Sequence, residues 1–365
     1  MNGEIIYLFM YNTGTPFINE ELNKLLKNKE DFSKYEFTRP TPEEISIFNI
    51  PLIFNLNDET INIDSTPIKI KAQVAIYNTG SFSIRLRSIL NNITMEQLHK
   101  LSFDNKIKAQ IKIFAEKSKS KIENNLAKIR NIKINEFTEY YEFYYINGEK
   151  KDILKKYKKF IAGLLIDEPI VDTLDENYIK EILAKNISYN IDDIFFVGWE
   201  SAVIIDKLKS YEYELIVAEI ANIQFLEMRV YRKEIINMLK STRAIVSENS
   251  NINFLQKLYK KDLNNSNLIL GKFYDKTNDM LNNVIETPFG FGEWYLSKLY
   301  FLFSNVFKLD LSKNSLKDNL ELIEKRRNFI SDTIESIHSD SLEFIIIFLI
   351  IIEVILELIY ILKIY

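Results

Sequence analysis

The run Phe344–Leu362, FIIIFLIIIEVILELIYIL, constrains the fold most: sixteen of its nineteen residues are Phe, Ile, Leu or Val. As a helix rising about 1.5 Å per residue it spans roughly 28 Å, near the hydrocarbon thickness of a bilayer. Only Glu353, Glu357 and Tyr360 interrupt it. The apolar residues favour insertion by about 5 to 10 kcal/mol, against a cost on the order of 3 kcal/mol for a carboxylate near the centre and less toward an end. The stem of Lys363 is long enough to reach the far interface. The unbroken apolar stretch Phe344–Ile352 leaves that half of the helix no polar face. These residues predict a single C-terminal transmembrane helix at 341–365, a tail anchor in the lipid bilayer. The body and the basic cluster Lys325, Arg326 and Arg327 then lie on the cytoplasmic side. Glu353 and Glu357 stand four apart on one helix face. The reading that fits best is an assembly device bonding across helices, with ion handling by a channel or transporter as the alternative.

A second helical pattern precedes this run. Leu316, Leu320, Ile323, Ile330, Ile334 and Ile337 recur at spacings of three, four and seven, with Arg327 in the missing position. The seam predicts a heptad-like helix over 311–340, long enough for a helix pair or small bundle and short for a coiled coil. Seam and tail together point to a homo-oligomer.

The chain of 365 residues, 47% hydrophobic and 27% charged, has room for two packed domains. It contains no cysteine, which excludes disulfides, thiol catalysis and iron–sulfur clusters. The two histidines, His99 and His338, are too few and too far apart for an imidazole metal site. There is no phosphate-binding glycine loop, dinucleotide fingerprint, nucleophile elbow or zinc-protease motif. The expectation is a protein with no catalysis, cofactor or metal. The start, MNGEIIYLFMYNTG, has neither the basic, apolar layout of a signal peptide nor an arginine-rich transit segment.

The fold class expected is α+β: a β-rich N-terminal domain at 1–133, then a hairpin and helical domain at 134–310. Ile5–Tyr11, Ile45–Leu56 and Ile68–Ile76 read as strands, the last with period-two alternation. Glu20–Lys29 reads as a short helix. Tyr11-Asn12-Thr13-Gly14 recurs as Tyr77-Asn78-Thr79-Gly80, and its Asn and Gly suit tight turns. Thr94 and Gln97 form a capping box, and Thr173 with Glu176 suggests another. Phe137–Tyr145 reads as an aromatic strand and Ile187–Asp206 as a hairpin. From about Tyr211 onward helices dominate, with Leu215, Ala218, Ile223, Leu226, Val230, Ile235 and Leu239 near one side.

The formal net charge of −4 conceals a basic zone. Lys106–Lys133 holds nine basic and two acidic residues, and Lys150–Lys159 holds six lysines and one aspartate. Such a zone attracts the phosphates of lipid or RNA. Lys117, Lys119, Lys121, Lys155, Lys156, Lys158 and Lys159 are the candidate contacts, with the aromatic strand as a base-stacking platform. The bland alternative is a solvated helix face.

Three stretches resemble the Required for Meiotic Nuclear Division family. Asp193–Ile205 is similar to its aromatic hairpin, Glu219–Tyr231 to the helix that follows, and Leu342–Leu358 to its tail with both glutamates. The likeness covers roughly residues 165–365. It implies membrane anchorage and oligomeric tethering, with a role in organellar translation for the mitochondrial members. The absence of a transit segment makes this chain look like a prokaryotic relative. The expected function is a membrane-tethered, homo-oligomeric scaffold that recruits a partner. The alternative is an RNA or ribosome tether through the basic zone.

Overall fold

The computed structural model describes residues 1–17, 33–34, 51–63, 66–128, 134–208, 211–249, 261–290 and 294–364. The helix expected at Glu20–Lys29 and the first part of the strand expected at Ile45–Leu56 lie outside these residues. In chain order the elements are β1 (Gly3–Asn12), β2 (Ser33–Lys34), β3 (Leu52–Asn55), β4 (Glu59–Ile63), β5 (Thr66–Ile76), β6 (Ser81–Leu90), α1 (Met95–Ser102), α2 (Asn105–Ala127), β7 (Thr138–Ile146), α3 (Lys150–Leu165) and α4 (Glu176–Leu183). There follow β8 (Asn186–Ile187), β9 (Ile194–Val197), β10 (Ser201–Ile205), α5 (Glu212–Asn249), α6 (Lys261–Gly290), α7 (Trp294–Val306) and α8 (Leu309–Ile364).

The strands form one sheet in the order β2-β3-β5-β6-β1-β7-β10-β9-β8, with β4 paired to β5. Neighbours are antiparallel except β7 and β10, which run parallel. Strands from both sides of residue 133 therefore share a sheet, because β7 pairs directly with β1. β1 sits near the middle and is buried along almost its whole length, which explains its near-continuous apolar run. One face carries Ile5, Tyr7, Phe82, Ile84, Leu86, Val74 and Tyr144 into a core completed by α1, α2 and α3.

The helix starts follow local chemistry. Thr94 and Gln97 make a complete capping box on α1. Asp104 caps α2 through the amides of Lys106 and Ile107. At α4 the cap is Asp175, which accepts from Asn177 and Tyr178. Thr173, the expected cap, lies in a short 3-10 turn, Val171–Thr173. A carboxylate two residues before the first free amide displaced the more distant hydroxyl.

The chain divides into two compact units, Met1–Val230 with Asn283–Ser312, and Tyr231–Asn282 with Lys313–Tyr365. The second is helical, with Tyr231, Ile235, Leu270, Phe273, Met280, Leu281, Leu316, Leu320, Ile323 and Ile330 buried. The Arg326 guanidinium donates to the carbonyl of Leu239 at 2.6 Å. The Arg327 guanidinium lies against Gly271. Arginine in the seam is thus accommodated where α6 offers no side chain.

The C-terminal expectation is corrected here. Among the described residues no helix is long and apolar enough to cross a membrane. The described run 342–360 holds Glu343 as well as Glu353 and Glu357, a third carboxylate where two were counted, each costly in hydrocarbon. The transmembrane helix, the tail anchor and the single-pass placement fall with it. What stands is an α+β chain whose last helix, α8, continues through this segment with its side chains exposed.

Candidate functional site

The lysines singled out from the sequence sit on α2 and α3, and several are already neutralised. Lys117 pairs with Glu59. Lys119 pairs with Glu116 at 3.5 Å and lies 5.0 Å over the Tyr11 ring. Lys158 meets Glu176 at 2.5 Å, and Lys156 lies 4.8 Å over Tyr157. Lys121 and Lys159 are half-buried, and Lys155 is exposed. The aromatic strand offers no stacking platform, because Tyr141, Phe143, Tyr144 and Tyr145 are all buried. Of the seam residues, Leu316, Leu320, Ile323 and Ile330 are buried within their own chain, while Ile334 and Ile337 are half-buried. Glu353 and Glu357 stand on the exposed part of α8.

The sequence reading missed a buried polar layer. β6 alternates strictly: Phe82, Ile84 and Leu86 face the apolar core, and Ser81, Ser83, Arg85 and Arg87 face the other way. Such a polar stripe ordinarily meets water. Here α5 covers it, with Glu212, Glu219 and Glu227 confined to about 80° of its circumference by their spacing. Arg85 grips Glu219 twice, through Nε at 2.8 Å and Nη2 at 2.5 Å. Arg87 grips Glu212 in the same forked way at 2.8 and 2.9 Å. The Tyr77 hydroxyl adds a bond to Glu219 at 2.7 Å, and Ser81 donates to Glu227 at 2.7 Å. Burial pulls the Arg85 guanidinium down, and the Glu219 carboxylate more than offsets this, so the group stays charged above its ordinary range. Burial and the same carboxylate hold the Tyr77 phenol well up. This is a fastening between helix and sheet.

A smaller cluster lies on the opposite face. The Tyr140 and Tyr144 hydroxyls both donate to Glu142. Lys108 stands 3.6 Å from Glu142 and 3.1 Å from Asp167. Burial raises the Glu142 carboxyl, opposed first by Lys108. Glu200 is raised by burial and then by its carboxylate neighbours Asp167 and Glu142. Among the described residues no group of His, Asp and Glu side chains is arranged to hold a metal ion. One ammonium faces three carboxylates, an acidic excess that helps hold the Glu200 carboxyl up.

The remaining feature is the far end of α8. Sixteen large apolar side chains between Leu342 and Tyr360 are 38% to 68% exposed. They lie on every side of the helix, beyond the point where seam packing ends.

Comparison with known proteins places the likeness at the other end of the chain. No solved structure matches. The uncharacterized protein MJ0711 of Methanocaldococcus jannaschii is 23% identical over 235 residues, which is 64% of this chain and 70% of the relative. The matching family model is described as the N-terminal domain of uncharacterized protein MJ0711 and covers residues 2–212. The expected membership in the Required for Meiotic Nuclear Division family is therefore corrected. That likeness rested on a hairpin and two helices, and aromatic hairpins and Ile-rich helices arise readily from composition. The match spans every strand of the sheet and more than half of the 365 residues, so the chain belongs to the MJ0711 N-terminal domain family.

Proposed function

We propose that this protein is a self-assembling scaffold that performs no chemistry of its own and recruits a partner through its α+β body. The observation that carries this reading is the exposed apolar end of α8. Monomers rarely leave contiguous apolar patches larger than a few hundred Å² uncovered. With about 80–100 Å² exposed on each of sixteen side chains, the patch is well above that size, and the stripe that faces a second copy is one part of it. The occupant is the same segment of a second copy. Parallel pairing in register sets the nine-residue stretch Phe344–Ile352 against its own counterpart. It also extends the seam, since Ile334 and Ile337 are only half-buried within one chain.

Full-length protein should sediment as a discrete oligomer at micromolar concentration. Glu353→Leu with Glu357→Leu, which removes like charges brought together by parallel pairing, should slow subunit exchange. A monodisperse monomer, or a monomer that floats with lipid vesicles and leaves no oligomer, would overturn the reading.

A further inference from the structure

The sequence repeat acquires a role in three dimensions. The two Tyr-Asn-Thr-Gly turns lie side by side at one end of β1 and β6. Gly14 and Gly80 take φ of +73° and +92°, and a Cβ on Gly80 would collide with the Thr15 carbonyl. Thr13 donates to the Gly80 carbonyl through both its amide, at 3.0 Å, and its hydroxyl, at 2.8 Å. The Phe17 amide donates to Asn78 at 2.9 Å. The Asn12 side-chain amide donates to Ser81 Oγ at 3.0 Å, and the Ser81 hydroxyl in turn donates a hydrogen bond to Glu227 Oε1 at 2.7 Å. The Thr79 hydroxyl interacts with the same carboxyl, yet Thr79 Oγ1 is buried without a well-formed hydrogen bond. Glu227 itself is only 4% exposed.

No cation balances this carboxyl among the described residues. On α5, Glu219 is committed to Arg85, and Arg229 is turned to Glu139 of β7 at 2.5 Å. On α7, Lys298 lies 3.8 Å over the Trp294 ring. On β6 the neutral Ser81 hydroxyl bonds the carboxyl, and on β1 the neutral Asn12 bonds that hydroxyl. We propose that Glu227 is a proton-operated latch: protonated, it fastens the α5 turn that ends at Val230 onto the paired turns, and ionised, it lets that turn loosen.

The protonated carboxyl accepts from Ser81 on one oxygen and offers its own hydrogen to the unsatisfied Thr79 oxygen through the other. Loss of that proton to water leaves a buried anion with hydroxyl donors and no counter-charge. Burial lifts this carboxyl to about 7, and the Ser81 and Thr79 hydroxyls only partly oppose the rise. The latch therefore works in the neutral range.

The test uses the full-length protein. Carbon-13 NMR of labelled glutamate should show a carboxyl titrating near neutrality whose signal Glu227→Gln removes. Amide exchange over 77–83 and 224–230, corrected for its intrinsic pH dependence, should accelerate by up to about tenfold per pH unit above the midpoint. In Glu227→Gln it should be independent of pH. Titration in the ordinary carboxylate range near about 4.3, or wild-type exchange that ignores pH, overturns the proposal. Should the Gln variant fail to fold, the wild-type titration and exchange decide alone.

Discussion

Glu219 holds Arg85 with both carboxylate oxygens, and neither side chain meets solvent. Removing one member of such a pair strands a charge in the interior. Glu219→Gln should therefore lower stability to urea by about 3–5 kcal/mol. Arg85→Met with Glu219→Leu should recover most of that loss, because two apolar groups leave no charge behind. Gly80→Ala should cost more than the about 1–3 kcal/mol of a strained φ alone, since at φ of +92° its Cβ would also meet the Thr15 carbonyl oxygen. Glu227 gives stability a pH dependence of definite sign. Its carboxyl is raised from 4.5 to about 7, so the folded state holds the proton more tightly than the unfolded chain. The contribution is fully present below pH 4.5 and is lost as pH rises through 7, by about 3 kcal/mol. Denaturation at several pH values should show this fall as the difference between wild type and Glu227→Gln, because Glu142 and Glu200, also raised by burial, contribute in both. At this scale the sequence was only half legible. The alternation in Ser81–Arg87 was there to read, but its polar side looked solvated. The glutamates that cover it lie more than a hundred residues away, and no local pattern links them.

Among the elements, β1, β5, β7 and the capping box of α1 were legible because each is written in one short stretch. Period two gave β5, and Thr94 with Gln97 gave the start of α1. The seam of α8 was legible as a helix, but not as one whose upper half is spent on its own chain, since a heptad does not say which copy fills the groove. The tail was read as a membrane span by counting apolar residues over a chosen window. Glu343 just outside that window shifts the balance, and the exposed apolar surface remains. Ile347→Glu with Ile351→Glu should dissolve the oligomer in analytical ultracentrifugation. The far-ultraviolet circular dichroism of the body should be unchanged. An unaltered sedimentation coefficient would count against assembly through α8.

For the molecule as a whole, the division into two units has a measurable correlate. Trp199 and Trp294 both belong to the first unit, so tryptophan fluorescence reports on it, while helical dichroism reports on both. Urea transitions followed by the two signals should not coincide; superimposable curves would mean that the units unfold together. The sequence suggested a β-rich domain ending near 133 and a hairpin and helical domain after it. Hydrogen bonding crosses that boundary: β7 and β10 complete the same sheet as β1.

The parallel pairing of β7 with β10 sets a timetable for the nascent chain. Ser201 to Ile205 must dock beside Glu142 to Ile146 after α3, α4 and the short β8–β9 hairpin have been threaded between them. Closing so distant a contact is slow compared with zipping a neighbouring hairpin. Until it happens, the Tyr- and Phe-rich flank of β7 is an open, adhesive border, and that interval is when the polypeptide is most prone to mispair with its neighbours.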